Sequence, residues 1–217
     1  MPMSTIEGII LKRKNYGEAD RILTILTPYR GKISIVAKGV RRITSRRAGS
    51  VEVLNRVTLH VFQGKGLPIL TEAQSINTFP KIKDDLILST YGSHLIELVD
   101  RLIPDQQINL NAYNLILTAL TFLEESPRQI WVRAFEIKLL SDLGFYSSKE
   151  VETTPEMKNL LNKLLNLPWV EIAKIKLNSE SALELERILR YYIEKILESP
   201  LRSVQVMEKI KNGEANR

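Results

Sequence analysis

The sequence predicts an α+β protein, a five-stranded β-barrel at the N-terminus followed by an α-helical region. Two observations carry this. Up to about residue 76 the apolar residues fall in short, partly alternating runs, and from Lys81 onward they recur at the three- and four-residue steps of a helix. Charge divides at the same place. Residues 1–80 hold 13 Lys and Arg against 5 Asp and Glu, whereas residues 81–217 hold 18 against 20. The expected division is therefore a basic barrel over residues 1–80 and a near-neutral helical domain over 81–217.

The first three strands are expected at Thr5–Lys12, Arg21–Thr27 and Lys32–Lys38, all rich in Ile, Val, Leu and Thr. Asn15-Tyr16-Gly17 and Pro28-Tyr29-Arg30-Gly31 separate them and supply turn chemistry. Residues 38–49 contain two glycines and no helical apolar period, and read as a loop. Two more strands, Arg56–Phe62 and Ile69–Ile76, flank Gln63-Gly64-Lys65-Gly66, a hairpin signal. Five short strands in about 75 residues fit a small barrel of the OB type.

In the second part, Leu88, Tyr91, Leu95, Leu98 and Leu102 form one stripe, giving a helix from about Asp84 to Ile103 that Pro104 ends. Tyr113, Ile116, Leu117, Leu120 and Leu123 mark a second helix. Ser126-Pro127-Arg128-Gln129 is expected to open a third, with Ser126 as N-cap, Pro127 in the first turn and Gln129 completing a capping box. Gly144 closes it after Leu143. The stretch 146–156 reads as a loop, helices resume at Met157–Leu165, at about Ser181–Leu197 and more weakly after Arg202, and 212–217 reads as a frayed tail.

Composition narrows the function. With 44% hydrophobic and 26% charged residues the chain is that of an ordinary globular protein, and no run approaches the roughly 18 apolar residues of a membrane span. The start, Met1-Pro-Met-Ser-Thr-Ile-Glu-Gly8, lacks the basic-then-apolar layout of a signal peptide. Cysteine is absent, which excludes disulfides, a thiol nucleophile and a cysteine zinc site, and agrees with a reducing cytoplasm. Two histidines, His60 and His94, are too few for a multi-histidine metal site, so no metal or cofactor is expected.

Motifs of catalysis are equally sparse. Gly64-Lys65-Gly66 lacks the rest of a dinucleotide fingerprint, and no Walker-type Gly-Lys-Ser/Thr occurs. Glu18-Ala19-Asp20 and Asp84-Asp85 read as caps and dipole partners rather than metal ligands. No Ser-plus-acid pattern stands near His60 or His94. The expectation is a protein that is not an enzyme.

The strongest positive signal is the loop. Lys38, Arg41, Arg42, Arg46 and Arg47 place five cations within ten residues, and Lys12-Arg13-Lys14 add a second cluster at the end of the first strand. Arginine forks pair with phosphate oxygens, and a mobile loop lets several of them follow an irregular backbone. This signal indicates a polyanion without sequence-specific recognition. A solubilising loop, or an adaptor whose basic loop grips an acidic protein, are the competing readings. Tyr16 and Tyr29 are candidates for base stacking, although turn tyrosines are commonly anchors.

Gly8-Ile9-Ile10-Leu11 leads into Tyr16-Gly17-Glu18-Ala19-Asp20-Arg21. Leu26-Thr27-Pro28 and Gly31-Lys32 follow, and then Ala37-Lys38-Gly39-Val40-Arg41-Arg42. The helical part adds Tyr91, Glu97-Leu98, Arg133-Ala134-Phe135-Glu136, Leu139-Leu140, Leu143-Gly144-Phe145 and the closing Pro200-Leu201-Arg202-Ser203. In this order and spacing, across about 200 residues, the chain resembles the RecO recombination-mediator proteins of bacteria.

That resemblance implies an OB barrel followed by a helical domain, and a cytoplasmic, nucleoid-associated, non-hydrolytic protein of DNA repair and recombination. It implies binding of single- and double-stranded DNA, annealing of complementary strands, docking on single-stranded-DNA-binding protein (SSB) and, with RecR, loading of the RecA recombinase. It also assigns Arg133 a role: a fork for the carboxylate of the acidic SSB tail, beside an apolar slot lined by Trp131, Ile137 or neighbouring leucines; the competing reading is an intramolecular pair with Glu136 or another acid, since i,i+3 partners on a helix are common. Two departures stand out. The four-cysteine zinc module that many members carry after Leu-Gly-Phe/Tyr is missing from 146–155, and Val204 replaces a frequent arginine of the closing element.

Overall fold

The computed structural model describes residues 3–147, 151–211 and 213. Strands β1 (Met3–Tyr16), β2 (Asp20–Thr27), β3 (Gly31–Ala37), β4 (Arg56–Phe62) and β5 (Ile69–Asn77) close into a barrel in the order β1-β2-β3-β5-β4. β1 outruns the expected Thr5–Lys12 because it serves two neighbours. It pairs with β4 from Met3 to Ile9, then with β2 from Ile9 to Tyr16, with a register shift between Ile10 and Lys12. Pairing, rather than apolar alternation, carries the polar end Lys12–Tyr16 as strand. Closure is thin. β3 and β5 meet in parallel at the single pair Val36↔Ile69, with the Val36 amide donating to the Pro68 carbonyl at 2.8 Å.

The barrel interior is filled by alternate strand residues, among them Ile6, Ile10, Leu23, Ile25, Ile35, Leu59 and Val61. Val40 and Val51, from the segment between β3 and β4, plug it as well.

Among the described residues eight helices follow: α1 (Pro80–Asp84), α2 (Leu86–Leu102), α3 (Leu110–Glu125), α4 (Ile130–Asp142), α5 (Pro155–Asn166), α6 (Trp169–Ile172), α7 (Ser179–Leu197) and α8 (Arg202–Lys211). The helix expected from Asp84 is broken at Asp85, which is extended and turns its carboxylate back to cap α2 through the Ile87 and Leu88 amides. Asp85 is thus a cap, as its sequence context indicated. Ser126 is not the expected N-cap. It ends α3, its amide bonded to the Phe122 carbonyl, while its own carbonyl accepts the Trp131 indole N–H at 2.7 Å. Gln129, at the start of α4, makes no capping bond and reaches Glu186 instead. Packing of the large Trp131 decides this junction over the local capping signature. Gly144, at φ +77°, closes α4 as expected.

Ten of the thirteen residues of α4 are buried, so this helix is the axis on which the others pack. Its core extends to the outer wall of the barrel, taking in Ile9, Leu11, Leu26 and Leu54. Polar ties reinforce the junction. The Lys32 ammonium donates to the Asp100 carbonyl at 2.5 Å and pairs with Asp105 at 3.2 Å. Gly31, at φ +66°, lies so close to Gln106 and Gln107 that a Cβ would stand 2.4 Å from the Gln107 carbonyl oxygen. The short α6 had no signal in the sequence, since four residues are too few to show a period. Residues 148–150, 212 and 214–217, within the expected loop and tail, lie outside the described residues.

Candidate nucleic-acid interface

The segment between β3 and β4 is anchored rather than loose, which corrects the expectation of a mobile loop. Gly39, at φ +65°, donates its amide to the Asp20 carboxylate at 2.7 Å, and the Arg41 amide donates to the Ala19 carbonyl at 2.9 Å. Both bonds tie the loop to the β1–β2 turn, so Asp20 is a structural acceptor. With Val40 and Val51 sunk in the barrel, residues 41–47 are held over one end of it.

The eight cations proposed from the sequence separate into three groups. Arg47 is structural: its guanidinium donates to the carbonyls of Lys38 (2.8 Å), Leu70 (2.8 Å) and Thr71 (3.2 Å). It faces the gap where β3 and β5 barely pair. Arg13 is ion-paired with Glu52, which Arg21 also approaches at 3.7 Å, and Lys12 points toward Asp100 of α2 at 3.8 Å. These two are partly neutralised by acids distant in sequence, which no local reading could supply.

Lys14, Lys38, Arg41, Arg42 and Arg46 form the third group. All are exposed; Arg41 makes one long bond, at 3.3 Å, to the Gly17 carbonyl, and the other four have no side-chain partner among the described residues. Five cations are gathered on the β1–β2 end of one small barrel, donors of the kind that pair with phosphate oxygens. Tyr16, 55% exposed, lies at this end, whereas Tyr29, 75% exposed, lies in the β2–β3 turn at the other end of β2. Only Tyr16 is placed to join the basic surface.

Arg133 stands differently from the accessible fork that the resemblance implies. It is 4% exposed, and its Nη1 donates to both carboxylate oxygens of Glu136 at 2.9 and 2.8 Å. Trp131 and Ile137 do not line a slot beside it: both are core residues, Trp131 packed on Phe122 and Trp169. A cavity of about 250 Å³ does border Arg133, lined by Arg128, Gln129, Ile130, Leu177, Ala182 and Leu185. The Arg133 Nε is buried without a hydrogen-bond partner among the described residues.

The same carboxylate carries an array that the sequence concealed. His94 Nε2 lies 2.6 Å from Glu136 Oε1, and His94 Nδ1 lies 3.1 Å from Ser203 Oγ. A Ser-plus-acid pair therefore does stand at His94, contrary to the local reading, because its members lie 109 and 42 residues away. Serine, histidine and acid follow one another as in a hydrolytic triad but with the ring nitrogens exchanged, all three residues are buried, and the cavity beside them measures about 10 Å³. No substrate carbonyl fits there. The array instead clasps the start of α8, where Glu97 accepts the Arg202 and Ser203 amides at 2.9 and 2.8 Å and Leu201 is fully buried. Val204 packs against the helical core. Among the described residues no group of three or more metal-ligating side chains is gathered, and no helix is long and apolar enough to cross a membrane.

Comparison with known proteins bears on this geometry. A family model described as recombination protein O N terminal matches residues 1–79, and one described as recombination protein O C terminal matches 83–148 and 147–205. A DNA repair protein RecO of Symbiobacterium thermophilum is 35% identical over 150 residues, and one of Heliobacterium modesticaldum is 36% identical over 145. The matched regions cover 68% and 67% of this chain but only 59% and 53% of those relatives. A third, from Pelotomaculum thermopropionicum, is 26% identical across 96% of this chain and 95% of its own length.

Proposed function

Since the chain belongs to the RecO family, we propose that it acts in DNA repair and recombination, its barrel gripping the phosphate backbone of DNA. The observation that carries this reading is the anchored loop with Lys38, Arg41, Arg42 and Arg46 exposed beside Lys14. A loop whose backbone is already anchored has less conformational freedom to lose on meeting a polyanion, and phosphate-backbone contacts of this kind accept any sequence.

The division of labour follows the charge. Residues 1–80 bind single- and double-stranded DNA and residues 81–217 dock partners, without catalysis by either part. In this reading the protein anneals complementary strands and, with RecR, helps RecA load on SSB-coated DNA. The acidic SSB tail docks at the cavity beside Arg133. Its apolar lining and the unpartnered Nε support that placement.

Titration of a labelled oligonucleotide at several salt concentrations tests the DNA reading. Five cations engaging a single strand give a log–log salt slope of about −3.5. An affinity that ignores salt, or an absence of binding, overturns it. Calorimetry with an SSB tail peptide tests the docking site. Ala182→Leu, which narrows the cavity without touching the Arg133–Glu136 pair, is expected to weaken that peptide and leave DNA binding unchanged.

A further inference from the structure

Phosphate binding leaves one residue of the loop unexplained. Ile43 is 105% exposed, the highest value among the large apolar side chains of the described residues, and it stands between Arg42 and Arg46. It does not sit on a slack segment. The Arg42 amide donates to the Gly39 carbonyl at 3.2 Å and the Ser45 amide to the Arg42 carbonyl at 2.9 Å, so two successive turns carry residue 43 to the tip. Below the tip, Val40 and Val51 are buried and Arg47 is bonded to three carbonyls. The fold thus holds a branched aliphatic side chain wholly in water, on a rigid mount, among cations.

The chemistry of the mount selects the occupant. Arginines on both sides of an apolar tip suit a partner that is anionic at its edges and apolar between them. In a nucleic acid the apolar surface between phosphates is the faces of the bases, and a continuous duplex keeps these stacked and covered. An aliphatic wedge flanked by arginines reaches them where stacking is already broken, or by breaking it. A protein surface complementary to the tip needs an acidic ring around an apolar hole, which is a narrower requirement.

We propose that Ile43 is a wedge that inserts against unstacked bases while Arg42 and Arg46 hold the flanking phosphates. The loop then favours single strands and interrupted duplexes over a continuous duplex, because unstacking a continuous duplex costs free energy and a single strand offers base faces at little cost. This rests on the nucleic-acid reading above and adds to it a contact to bases.

The test uses the full chain and a single-stranded oligonucleotide carrying one 2-aminopurine, whose emission rises when its neighbours unstack. Wild type and Ile43→Leu are expected to raise the emission on binding. Ile43→Ser is expected to bind about tenfold more weakly, with the same salt slope and little rise in emission. It is also expected to lose the preference for a gapped over a continuous duplex. As residue 43 is fully exposed, the serine variant should melt at the wild-type temperature, so a loss of signal is not a loss of fold. Equal emission and affinity for Ile43→Ser and wild type overturn the wedge. A wild type that binds with the expected salt slope but leaves the emission flat overturns the wedge alone. A wild type that does not bind the oligonucleotide removes the DNA reading with it.

Discussion

The Tyr113 hydroxyl of α3 donates a 2.8 Å hydrogen bond to Glu7 of β1, joining the helical array to the barrel across 106 residues of chain. The same Glu7 oxygen accepts two bonds from Arg56, at 2.9 and 2.7 Å. Burial, and then Glu7 itself, push the Tyr113 hydroxyl well above its ordinary value, so it remains a donor throughout the accessible pH range. Tyr113→Phe is expected to lower stability by about 1–2 kcal/mol, the worth of a bond to a charged acceptor partly open to water. Urea denaturation checks this. In a double-mutant cycle with Glu7→Gln, a coupling energy near zero refutes the tie.

Acid should loosen the same junction. Burial raises the Glu7 carboxyl, but hydrogen bonds from Arg56 and Tyr113 outweigh it and hold the group below its ordinary 4.5. Glu97 behaves alike: burial raises it, but its bonds to Ser203 and Arg202 outweigh that and hold it below its ordinary value. A carboxyl lowered by folding stabilises the fold fully above its unfolded pKa and loses that contribution as pH falls through the folded value. Stability is therefore expected to be level near pH 7 in respect of these groups and to decline below about pH 4.5. The decline should be shallower in Glu7→Gln and Glu97→Gln, as thermal melts across pH will report.

Glu136 is fully buried and receives both Arg133 and His94. Glu136→Gln strands the Arg133 guanidinium in the interior, and the expected cost is about 3–5 kcal/mol. Because His94 also holds Ser203, the loss should first be felt at α8. Limited proteolysis near Arg202 at a temperature where the rest of the chain resists is the measurement. Equal resistance in mutant and wild type counts against the clasp.

Neighbouring arginines should fail in different ways. Arg42→Glu with Arg46→Glu is expected to leave the melting temperature unchanged and to make the salt slope for single strands shallower by about 1.4. Arg47→Ala removes three bonds to carbonyls and should lower stability by about 1–3 kcal/mol, with DNA affinity falling as a consequence of a displaced loop. Melting curves beside binding curves separate the two. Equal melting for both variants and the wild type would contradict the structural role of Arg47.

Gly31 seats the barrel on the loop before α3. With φ at +66° and a Cβ position 2.4 Å from the Gln107 carbonyl oxygen, Gly31→Ala combines backbone strain with collision. A cost above about 1–2 kcal/mol is expected, against a negligible one for Gly49→Ala, where a Cβ meets nothing within 4 Å. Chemical denaturation of the two variants provides the comparison.

The fold was legible wherever local chemistry and tertiary packing agree. The five strands and the helices α2, α3, α5, α7 and α8 followed from apolar period, and the end of α4 from the place of Gly144 after Leu143. Ser126 misled because a well-formed capping signature lost to the demand of Trp131 for space and for a carbonyl. The site was legible as charge and not as geometry. Counting arginines could not show that Arg47 faces three carbonyls or that Glu52 engages Arg13. Each of these depends on a partner between 9 and 39 residues away, chosen by the path of the chain. The pairing of Arg133 with Glu136 was legible as the competing reading, because it is an i,i+3 contact within one helix. Ile43 was hidden for a related reason. The segment read as a loop outside the core, but only its mount shows that residue 43 stands at the tip, wholly exposed among the cations.

The thin closure at Val36 and Ile69 has a bearing on solubility. A cylinder has no free edge, and here the last join between β3 and β5 is supplied in large part by the Arg47 side chain rather than by a ladder. Were it to open, two strand edges with unpaired amides and carbonyls would face solvent, a ready template for another copy of the chain. Lysine cannot replace this arginine, because a single ammonium does not span carbonyls that a planar fork reaches together. The loop that would meet DNA therefore also guards the protein against self-association, and position 47 is far less free to vary than positions 42 and 46 beside it.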